Sequence, residues 1–251
     1  MSGTKQKVVL ITGAGGGMCT GINARLAKVG YALALVDFSA EAVERAVQAV
    51  TAAGGEAKPF VADVTDPAQV HALGDQVRAE FGAVDAIVNA AGVLDRKYLK
   101  DHDDDSFARA LGINLVGPFR IIQEFAPAMV EQGWGRIVNI SSIAGVTGYP
   151  YPSYAASKAG LSNLTRSLTI DFWGTGVTIN SICPGVVDTP MVIDEVRRQV
   201  PRKVPTERIV EPDEIGAVAA FLLSDDARSI NGADILIDGG ATRFFQLFDR
   251  P

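Results

Sequence analysis

The segment "YPSYAASKAG" places Tyr154 and Lys158 four residues apart. On a helix this spacing puts both side chains on one face. A neighbouring ammonium favours the tyrosinate form and so lowers the pKa of a tyrosine towards working pH. The pair therefore predicts a general base that removes a proton from a substrate and returns it in the reverse reaction. Because the same spacing also occurs by chance in many helices, the surrounding segments must decide the interpretation.

A second candidate is the glycine-rich segment "TGAGGGMCTG", residues 12–21, which follows an apolar run and precedes a helix candidate. Neither G-x-G-x-x-G nor the P-loop signature fits it in any frame. The spacing T-G-x-x-x-G-x-G comes closest, with Thr12, Gly13 and Gly17 in place and Cys19 where the last glycine is expected. A helix that starts there offers free N–H groups and a positive dipole end to a pyrophosphate. By itself the segment leaves two alternatives open, a phosphate cradle and a flexible turn.

Asp37 ends the second apolar run, twenty residues after Gly17. An acid at this place accepts hydrogen bonds from both ribose hydroxyls of a dinucleotide and repels a 2′-phosphate. After Asp37, no Arg or Lys occurs before Arg45. The alternative role, an N-cap for the next helix, can be filled by Ser39. The pattern therefore favours NAD over NADP.

The elements that must position these residues alternate along the chain. Most of the short apolar runs lack in-and-out alternation, which is typical of parallel strands buried on both faces. The runs are Val8–Ile11, Ala32–Val36, Pro59–Ala62, Ala86–Val88, Arg136–Ile140, Val177–Ile182 and Asp234–Ile237. Helix candidates between them begin at Ser39 and at Asp66-Pro67, and they stop at Gly54-Gly55 and Gly82. The pattern predicts one α/β domain over residues 1–251, doubly wound, with helices on both faces of a parallel sheet.

Other segments surround the Tyr154 and Lys158 pair: "GRIVNISSIAG", "VTINSICPGVVDTPM", "IVNAAG" and "GINLVGPF". With these motifs, from Thr12 to about Gly240, the chain resembles the short-chain dehydrogenase/reductase family. The resemblance implies an NAD(P)-dependent oxidoreductase with a Rossmann fold, a seven-stranded parallel sheet and usually a homotetrameric assembly. It also implies four catalytic residues: Tyr154 as base, Lys158 as its partner, Ser142 as the group that polarises the substrate oxygen, and Asn114 as the holder of a relay water.

The same resemblance implies the contacts of the cofactor. Asp63 and Val64 in "VADVTD" match the adenine contacts, and the loop after "SIC" matches the contacts of the nicotinamide end. In "NAAG", Ala90 replaces the second Asn of the family's N-N-A-G. The predicted cofactor-binding residues are Gly13, Gly17, Met18, Asp37, Asp63, Val64, Asn89, Ala90, Ala91, Gly92, Tyr154, Lys158, Pro184, Gly185, Val187 and Thr189.

Two features depart from the family pattern. Cys19 replaces a glycine of the cofactor loop, and as a small apolar residue it is expected to preserve the packing of helix on strand. Ser142 and Tyr154 are twelve residues apart, where the family usually has thirteen. Because neighbouring residues of a strand face opposite sides, only one of Ser141 and Ser142 reaches the site. We favour Ser142.

The predicted activity is NAD-dependent hydride transfer between a secondary alcohol and a ketone. Three rivals stay open: an NADP-dependent 3-oxoacyl thioester reductase, a non-catalytic nicotinamide-binding sensor or scaffold, and a lyase or epimerase that oxidises its substrate transiently. Asp37 argues against the first, and the complete set of four catalytic residues argues against the second. The third needs a further acid or base that the sequence does not identify.

The substrate is less well determined. Tyr149 and Tyr151 form either a pocket wall or a packed turn, and the residues after "DTPM" form either an acid-binding loop or, more commonly for such a run, a solvated helix face. The basic residues of that run are Arg197, Arg198, Arg202 and Lys203. The C-terminal tail carries Phe244, Phe245 and Phe248. The tail predicts a subunit interface. Together these features favour a medium-sized aromatic or cyclic alcohol or ketone.

Composition excludes several other classes. A net charge of −6 argues against nucleic acid and anionic membrane surfaces as partners. No apolar stretch reaches the length of a signal peptide core or a membrane span, and two cysteines fit a reducing compartment, so a cytoplasmic protein is expected. Cys19, Cys183, His71 and His102 lie too far apart to suggest a zinc site, and "DHDDD" is interpreted as a solvated helix start. No metal is predicted.

Overall fold

The computed structural model describes residues 6–243 of the chain. Seven parallel strands form one sheet in the order β3-β2-β1-β4-β5-β6-β7, which confirms the predicted sheet. The strands are β1 (Val8–Thr12), β2 (Ala32–Asp37), β3 (Glu56–Val61), β4 (Ala86–Asn89), β5 (Gly135–Ile140), β6 (Val177–Pro184) and β7 (Asp234–Ile237). β3 begins ahead of the predicted Pro59, because this edge strand alternates exposed and buried residues and its first half carries no apolar run.

Eight α-helices connect and flank the strands within the described residues. They are α1 (Cys19–Lys28), α2 (Ala40–Ala52), α3 (Pro67–Phe81), α4 (Asp104–Leu111), α5 (Gly117–Gln132), α6 (Pro152–Ser167), α7 (Asp194–Gln199) and α8 (Pro212–Leu222). The predicted caps are confirmed, since the Ser39 hydroxyl accepts from the Ala42 N–H at 3.3 Å and the Asp66 carboxylate accepts from the Ala68 N–H at 2.9 Å. Gly82 ends α3 with a φ of 79°, in the left-handed region that favours glycine.

Strands β1, β2, β4, β5 and β6 are buried on both faces, which is why most of their residues are apolar. Along β1, Val9 and Ile11 pack in one core with residues of α1, α2 and α8, whereas Val8 and Leu10 pack in a second core with residues of α3 and α5. Successive side chains of a strand point to opposite faces, so one apolar run fills both cores. The doubly wound arrangement is thereby confirmed.

Helix α1, which starts at the glycine segment, is held in place by a close crossing with α8. A Cβ atom on Gly21 would lie 2.1 Å from the Pro212 carbonyl oxygen, and one on Gly216 would lie 2.3 Å from the Gly21 carbonyl oxygen. Side chains at these positions would separate the two helices. The close contact therefore fixes the orientation of α1, and with it the position of its first turn relative to the sheet.

The order of the strands reverses between β1 and β4, and a crevice opens beyond their carboxyl ends at that point. Thr12 and Asn89 are register partners there. The Thr12 hydroxyl accepts from the backbone N–H groups of Ala90 and Ala91, both at 3.2 Å, and so ties the two loops together. The fold thus directs both loops to one place.

Some expectations concern the chain as a whole. Between residues 6 and 243, every helix is too short or too polar to cross a lipid bilayer. In the same range, no three His, Cys, Asp or Glu side chains converge where a metal ion would bind. The organisation of residues 1–251 as a single domain stays a prediction. Phe244, Phe245 and Phe248 lie outside the described residues.

Candidate active site

A cavity of about 740 Å³ opens at the crevice between β1 and β4. Twelve of the predicted cofactor residues line it: Gly13, Gly17, Met18, Asp37, Asp63, Val64, Ala90, Ala91, Gly92, Tyr154, Lys158 and Thr189. Four predicted cofactor residues are not among those that line it: Asn89, Pro184, Gly185 and Val187. Asn89 is buried and donates from Nδ2 to Asn139 Oδ1 at 2.9 Å, so its amide points towards β5.

The glycine segment passes between two other loops at van der Waals distance. Gly13 has a φ of 65°, and a Cβ atom there would lie 2.7 Å from the backbone nitrogen of Ala91. A Cβ atom on Gly17 would lie 2.8 Å from Pro190 Cδ. Glycine is therefore required at both positions by space, and at Gly13 also by backbone conformation.

The start of α1 has the features of an anion site. No side chain caps this helix and no acid lies in its first turn, in contrast to α2 and α3, whose N-caps accept hydrogen bonds. Uncapped first-turn N–H groups and the positive dipole end suit a pyrophosphate. Together with the narrow glycine turn, this donor set fits a dinucleotide and favours the cradle over the flexible turn.

Cys19 lies at the first residue of α1 and is 2% exposed, packed in the core with Ile22 and Leu26. Burial, with a smaller contribution from the Asp37 carboxylate, raises the pKa of its thiol to about 12. The thiol is therefore uncharged and acts as a small apolar side chain. The expected preservation of packing at this position is confirmed.

The Asp37 carboxylate lies at the end of β2 against the cavity. Oδ2 accepts from the Gly15 N–H at 3.0 Å, and Oδ1 accepts from the Ser39 N–H at 3.1 Å. Ser39, not Asp37, caps α2. Each carboxylate oxygen has a further lone pair, so the group can still accept from ribose hydroxyls. Arg45, the nearest cation in sequence, is paired with Glu41 on α2.

Tyr154 and Lys158 lie on the first two turns of α6, as their spacing predicts. The Lys158 ammonium donates to the Ile140 carbonyl at 2.8 Å and lies 5.8 Å from the centroid of the Tyr154 ring. Ser142 follows the end of β5, and its side chain lies close enough to Tyr154 to interact with the phenol and lower its pKa. Strand β5 and helix α6 therefore bring the three predicted catalytic residues together.

The two neighbouring serines point in different directions. The Ser141 hydroxyl is buried against α6, where it donates to the Lys158 carbonyl at 3.0 Å and lies 2.9 Å from Ser162 Oγ. Ser141 borders the cavity, but its hydroxyl is used within the protein. The Ser142 hydroxyl also accepts from the Ala144 N–H at 3.1 Å. Only Ser142 meets Tyr154, the serine favoured from the sequence.

Asn114 lies in a π-helical turn, Gly112–Val116, between α4 and α5. Its Nδ2 donates to the Val93 carbonyl at 3.0 Å and to Ser157 Oγ at 2.9 Å, and its Oδ1 accepts from the Val93 N–H at 2.8 Å. A Cβ atom on Gly92 would lie 3.3 Å from Asn114 Oδ1 and 3.4 Å from Lys158 Nζ. Asn114 is thus rigidly held beside the lysine. π-helical turns are frequent at functional sites, but no sequence pattern predicts this one.

The protonation of the tyrosine differs from the sequence-based prediction. Burial raises the pKa of Tyr154, and the interaction with Ser142 only partly opposes this effect. Burial also lowers the pKa of Lys158, to about 8. The prediction that Lys158 lowers the tyrosine pKa is therefore wrong, because desolvation disfavours both charged forms and the ammonium is directed at the Ile140 carbonyl.

This burial has a consequence for stability. The lowered pKa means that the buried ammonium opposes folding below pH 8, where the folded and unfolded lysines are both protonated. The penalty decreases between pH 8 and 10.5, as the folded lysine becomes neutral first. At about 1.4 kcal/mol per pKa unit, the burial penalty is roughly 3 kcal/mol. A neutral replacement would remove this penalty but would also lose the hydrogen bond to the Ile140 carbonyl, which offsets about 1 kcal/mol of the gain.

We therefore expect Lys158→Met to raise the free energy of unfolding by about 2 kcal/mol at pH 7, with a smaller gain at pH 10. Urea denaturation of both proteins without nucleotide at the two pH values measures this. Lys100→Met removes an exposed ammonium and serves as control. A Lys158→Met protein less stable than the parent at pH 7 would contradict the assigned burial penalty.

Aromatic rings pack next to Tyr154. The ring centroids of Tyr149 and Tyr154 are 6.0 Å apart, those of Tyr149 and Tyr151 are 5.7 Å apart, and those of Tyr151 and Tyr98 are 5.6 Å apart. Such edge-to-face and tilted contacts stabilise neighbouring rings. Tyr149 and Tyr151 are not among the residues that line the cavity, so the structure favours a packed turn over a pocket wall.

The basic residues after "DTPM" have partners of their own. Arg197 donates to Asp188 Oδ1 and to the Thr189 carbonyl, both at 2.8 Å, and Arg198 pairs with Glu195 at 2.7 Å. Lys203 donates to Gln199 at 3.3 Å. The interpretation of these residues as a helix face is favoured, and Arg197 additionally holds the segment that closes over Gly17.

The sequence analysis missed several residues that line the cavity. They are Phe38, Val93, Leu94, Arg109, Ile113, Pro190 and Met191. Of these, Arg109 and Ile113 come from the end of α4 and the π-turn after it. Arg109 and Ile113 are four residues apart, which predicts that they share one helix face. Nothing in the sequence indicates that this face lines the crevice.

Comparison with known proteins adds independent information. The family model described as enoyl-(acyl carrier protein) reductase matches residues 13–242. D-threitol dehydrogenase of Mycolicibacterium smegmatis is 39% identical over 241 residues, covering 94% of this chain and 93% of the relative.

Solved structures are similar as well. That of NAD⁺-bound xylitol dehydrogenase is 34% identical with a TM-score of 0.87, covering 93% of this chain and 98% of the other. A gluconate 5-dehydrogenase from Burkholderia cenocepacia in complex with NADP and tartrate is 29% identical with a TM-score of 0.90, covering 96% and 97%. Both dinucleotides therefore occur among its structural relatives.

Proposed function

Because this chain belongs to the short-chain dehydrogenase/reductase family, we propose that it is an NAD-dependent oxidoreductase that interconverts a secondary alcohol and a ketone. One observation carries the proposal: Tyr154 and Lys158 line the same cavity as the uncapped start of α1, and Ser142 lies beside Tyr154. An alcohol bound at Tyr154 and a dinucleotide bound at the start of α1 would therefore share one cavity.

When bound, the nicotinamide of NAD would supply the hydride acceptor for the alcohol carbon, and this redox chemistry belongs to the cofactor. Tyr154 accepts the hydroxyl proton. Ser142 donates a hydrogen bond to the substrate oxygen and stabilises the negative charge that develops on it. Lys158 would hold the ribose of the cofactor through its ammonium. Asn114 positions a water that passes the proton to solvent.

The remaining cavity residues hold the dinucleotide in this proposal. The glycine segment and the start of α1 bind the pyrophosphate, and Asp63 and Val64 contact the adenine. Asn89 to Gly92 support the cofactor from β4, while Pro184, Gly185, Val187 and Thr189 border the nicotinamide end. The ring contacts of Tyr149 and Tyr151 favour a medium-sized, cyclic or aromatic substrate.

The preference for NAD rests on Asp37. Its carboxylate is 7% exposed and lies where a ribose 2′ position would face β2. We expect Asp37→Ala to lower the ratio of kcat/KM for NAD to that for NADP roughly 30-fold, since it removes charged hydrogen bonds and a repulsive charge. Initial rates with both cofactors measure the ratio, and Asp63→Ala is the matched control at the adenine end. An unchanged ratio in Asp37→Ala would contradict the ribose assignment.

The test of the proposed function is reduction of NAD by an alcohol. The protein is mixed with NAD or NADP and a panel of aryl, cyclic, polyol and 3-hydroxyacyl secondary alcohols, and absorbance of the reduced nicotinamide is followed. Turnover with NAD supports the proposal. Turnover confined to NADP and 3-hydroxyacyl thioesters favours the thioester reductase. Tight NADH binding without turnover on any member favours the non-catalytic sensor.

Assembly and location complete the proposal. We infer a homotetramer in the cytoplasm, in line with the family resemblance. Large apolar side chains are exposed on the described surface, among them Ile170 at 73% and Trp173 at 85%. Exposure of this kind is typical of surfaces that bind another subunit. Sedimentation analysis of the full chain would distinguish a tetramer from smaller species.

A further inference from the structure

An arginine lies at the rim of the cavity that Tyr154 lines. Arg96, in the loop after β4, donates from Nη2 to the Met191 carbonyl at 3.0 Å. Met191 lines the cavity. The positive charge of Arg96 also acts on Tyr149, where it opposes the effect of burial on the pKa of that phenol. The guanidinium is therefore within electrostatic range of Tyr149, whose ring centroid lies 6.0 Å from that of Tyr154.

This guanidinium has no acidic partner within residues 6–243. None of the ion pairs in this range, to a limit of 4.0 Å, involves Arg96. The acids nearest to Arg96 in the sequence interact with Lys97 instead. The Lys97 ammonium lies 3.9 Å from the Asp95 carboxylate and 2.9 Å from the Asp103 carboxylate. By contrast, Arg197 and Arg198 in the segment after β6 are both paired with carboxylates.

The bonding capacity of Arg96 is largely unused. A guanidinium has five N–H donors in a planar fork that matches the two oxygens of a carboxylate. One donor is bound to Met191, which fixes the position of the group. A charged fork that is oriented but unpaired at the entrance of a site is suited to bind an anionic group of an entering molecule.

Its position sets the distance between that anionic group and the reacting centre. Arg96 is exposed and is attached to the Met191 carbonyl at the cavity wall, but it does not itself line the cavity. Its charge acts on Tyr149, whose ring centroid is 6.0 Å from that of Tyr154, and it is not among the charges that act on Tyr154 itself. A carboxylate attached directly to the reacting carbon would therefore lie too far from Arg96 to pair with it, whereas a carboxylate several bonds away would reach it.

We propose that Arg96 determines specificity by binding a carboxylate located several bonds from the reacting carbon of a hydroxy acid or keto acid. This inference rests on the proposed function. In the oxidation, the carbinol C–H bond breaks and its electron pair moves with hydrogen to the nicotinamide. The hydroxyl proton passes to Tyr154 and on to solvent, the C–O single bond becomes a carbonyl, and the carboxylate is unchanged.

The test compares two substrates of nearly equal shape. 4-Hydroxycyclohexanecarboxylate carries a secondary alcohol and a carboxylate across one ring, and 4-hydroxycyclohexanecarboxamide replaces the charge with a neutral amide. In Arg96→Gln we expect kcat/KM for the carboxylate to fall roughly 30-fold, mainly through KM, and kcat/KM for the amide to change less than about twofold. Lys100→Gln removes a nearby exposed cation and is expected to leave both unchanged.

A second measurement does not depend on which alcohol is turned over. Unreactive cyclohexanecarboxylate should inhibit oxidation of a neutral panel alcohol competitively, and Arg96→Gln should weaken this inhibition roughly 30-fold at constant ionic strength. Cyclohexanecarboxamide serves as the neutral control and should inhibit both proteins equally.

Three outcomes overturn the inference. Equal losses on acid and amide would show that Arg96 acts only by holding the Met191 segment. No loss on the acid, or no inhibition by the carboxylate, would show that the guanidinium binds no carboxylate. If neutral alcohols are still turned over, any of these results leaves the proposed function intact. Absence of turnover on every alcohol overturns both the proposed function and the role of Arg96.

Discussion

Replacing Tyr154 with phenylalanine is expected to lower kcat/KM for alcohol oxidation roughly a thousandfold. The ring and its contacts with Tyr149 and Lys158 remain, so only the hydroxyl that exchanges a proton with the substrate is lost. Among the described residues that line the cavity, Tyr154 is the one tyrosine and there is no histidine, so no other such group could replace it. Steady-state rates of NADH formation on the best panel alcohol measure the effect.

Two controls separate chemistry from folding and cofactor binding. Fluorescence titration of NADH should give the same Kd for Tyr154→Phe and the parent protein. Tyr31→Phe removes a hydroxyl that donates to the Leu223 carbonyl at 2.9 Å, at the opposite end of the sheet, and should keep full activity. A Tyr154→Phe protein that retains a tenth or so of the parental kcat/KM would contradict the role of general base.

Ser142→Ala is expected to lower kcat roughly a hundredfold, because the substrate oxygen loses a hydrogen bond that strengthens as charge develops. The neighbouring Ser141→Ala is the matched control. The Ser141 hydroxyl donates to the Lys158 carbonyl and contacts Ser162, so its loss should reduce the free energy of unfolding by about 1–3 kcal/mol and change kcat less.

Rates and urea denaturation of the two alanine variants check this division of roles. A large loss of kcat in Ser141→Ala with little loss in Ser142→Ala would reverse the assignment. Equal loss of activity with equal loss of stability would show that both serines act only through the packing of β5 on α6.

The sheet and its helices were predictable because their signals are local and repeated. Parallel strands buried on both faces need unbroken apolar runs, and each run marked a strand. The caps Ser39 and Asp66 and the stop at Gly82 depend on one or two side chains or a backbone conformation, which the residue type reveals. The exception, the early start of β3, lies at the sheet edge, where one face is exposed and the apolar signal is weak.

The candidate site was predictable where chemistry requires particular residue types. Tyr154 with Lys158 and Asp37 after β2 were identified from spacing, and the family resemblance added Ser142 and Asn114. The sequence could state that only one of Ser141 and Ser142 faces the site, since that follows from the strand period of two. The choice between them needed the position of α6, which contacts Ser141 through the Lys158 carbonyl and Ser142 through the Tyr154 side chain.

The sequence by itself thus determined the fold class, the order of its elements and the identity of the reactive groups, because periodicity, capping and residue chemistry are properties of short segments. Only the tertiary structure decided their environment. Burial raises the pKa of Tyr154 against the prediction from its lysine neighbour, and it lowers that of Lys158. The tertiary fold also leaves Arg96 without an acidic partner, whereas it pairs Arg197 with Asp188. Desolvation and pairing depend on which distant segments the fold brings together, and no short stretch of sequence contains that information.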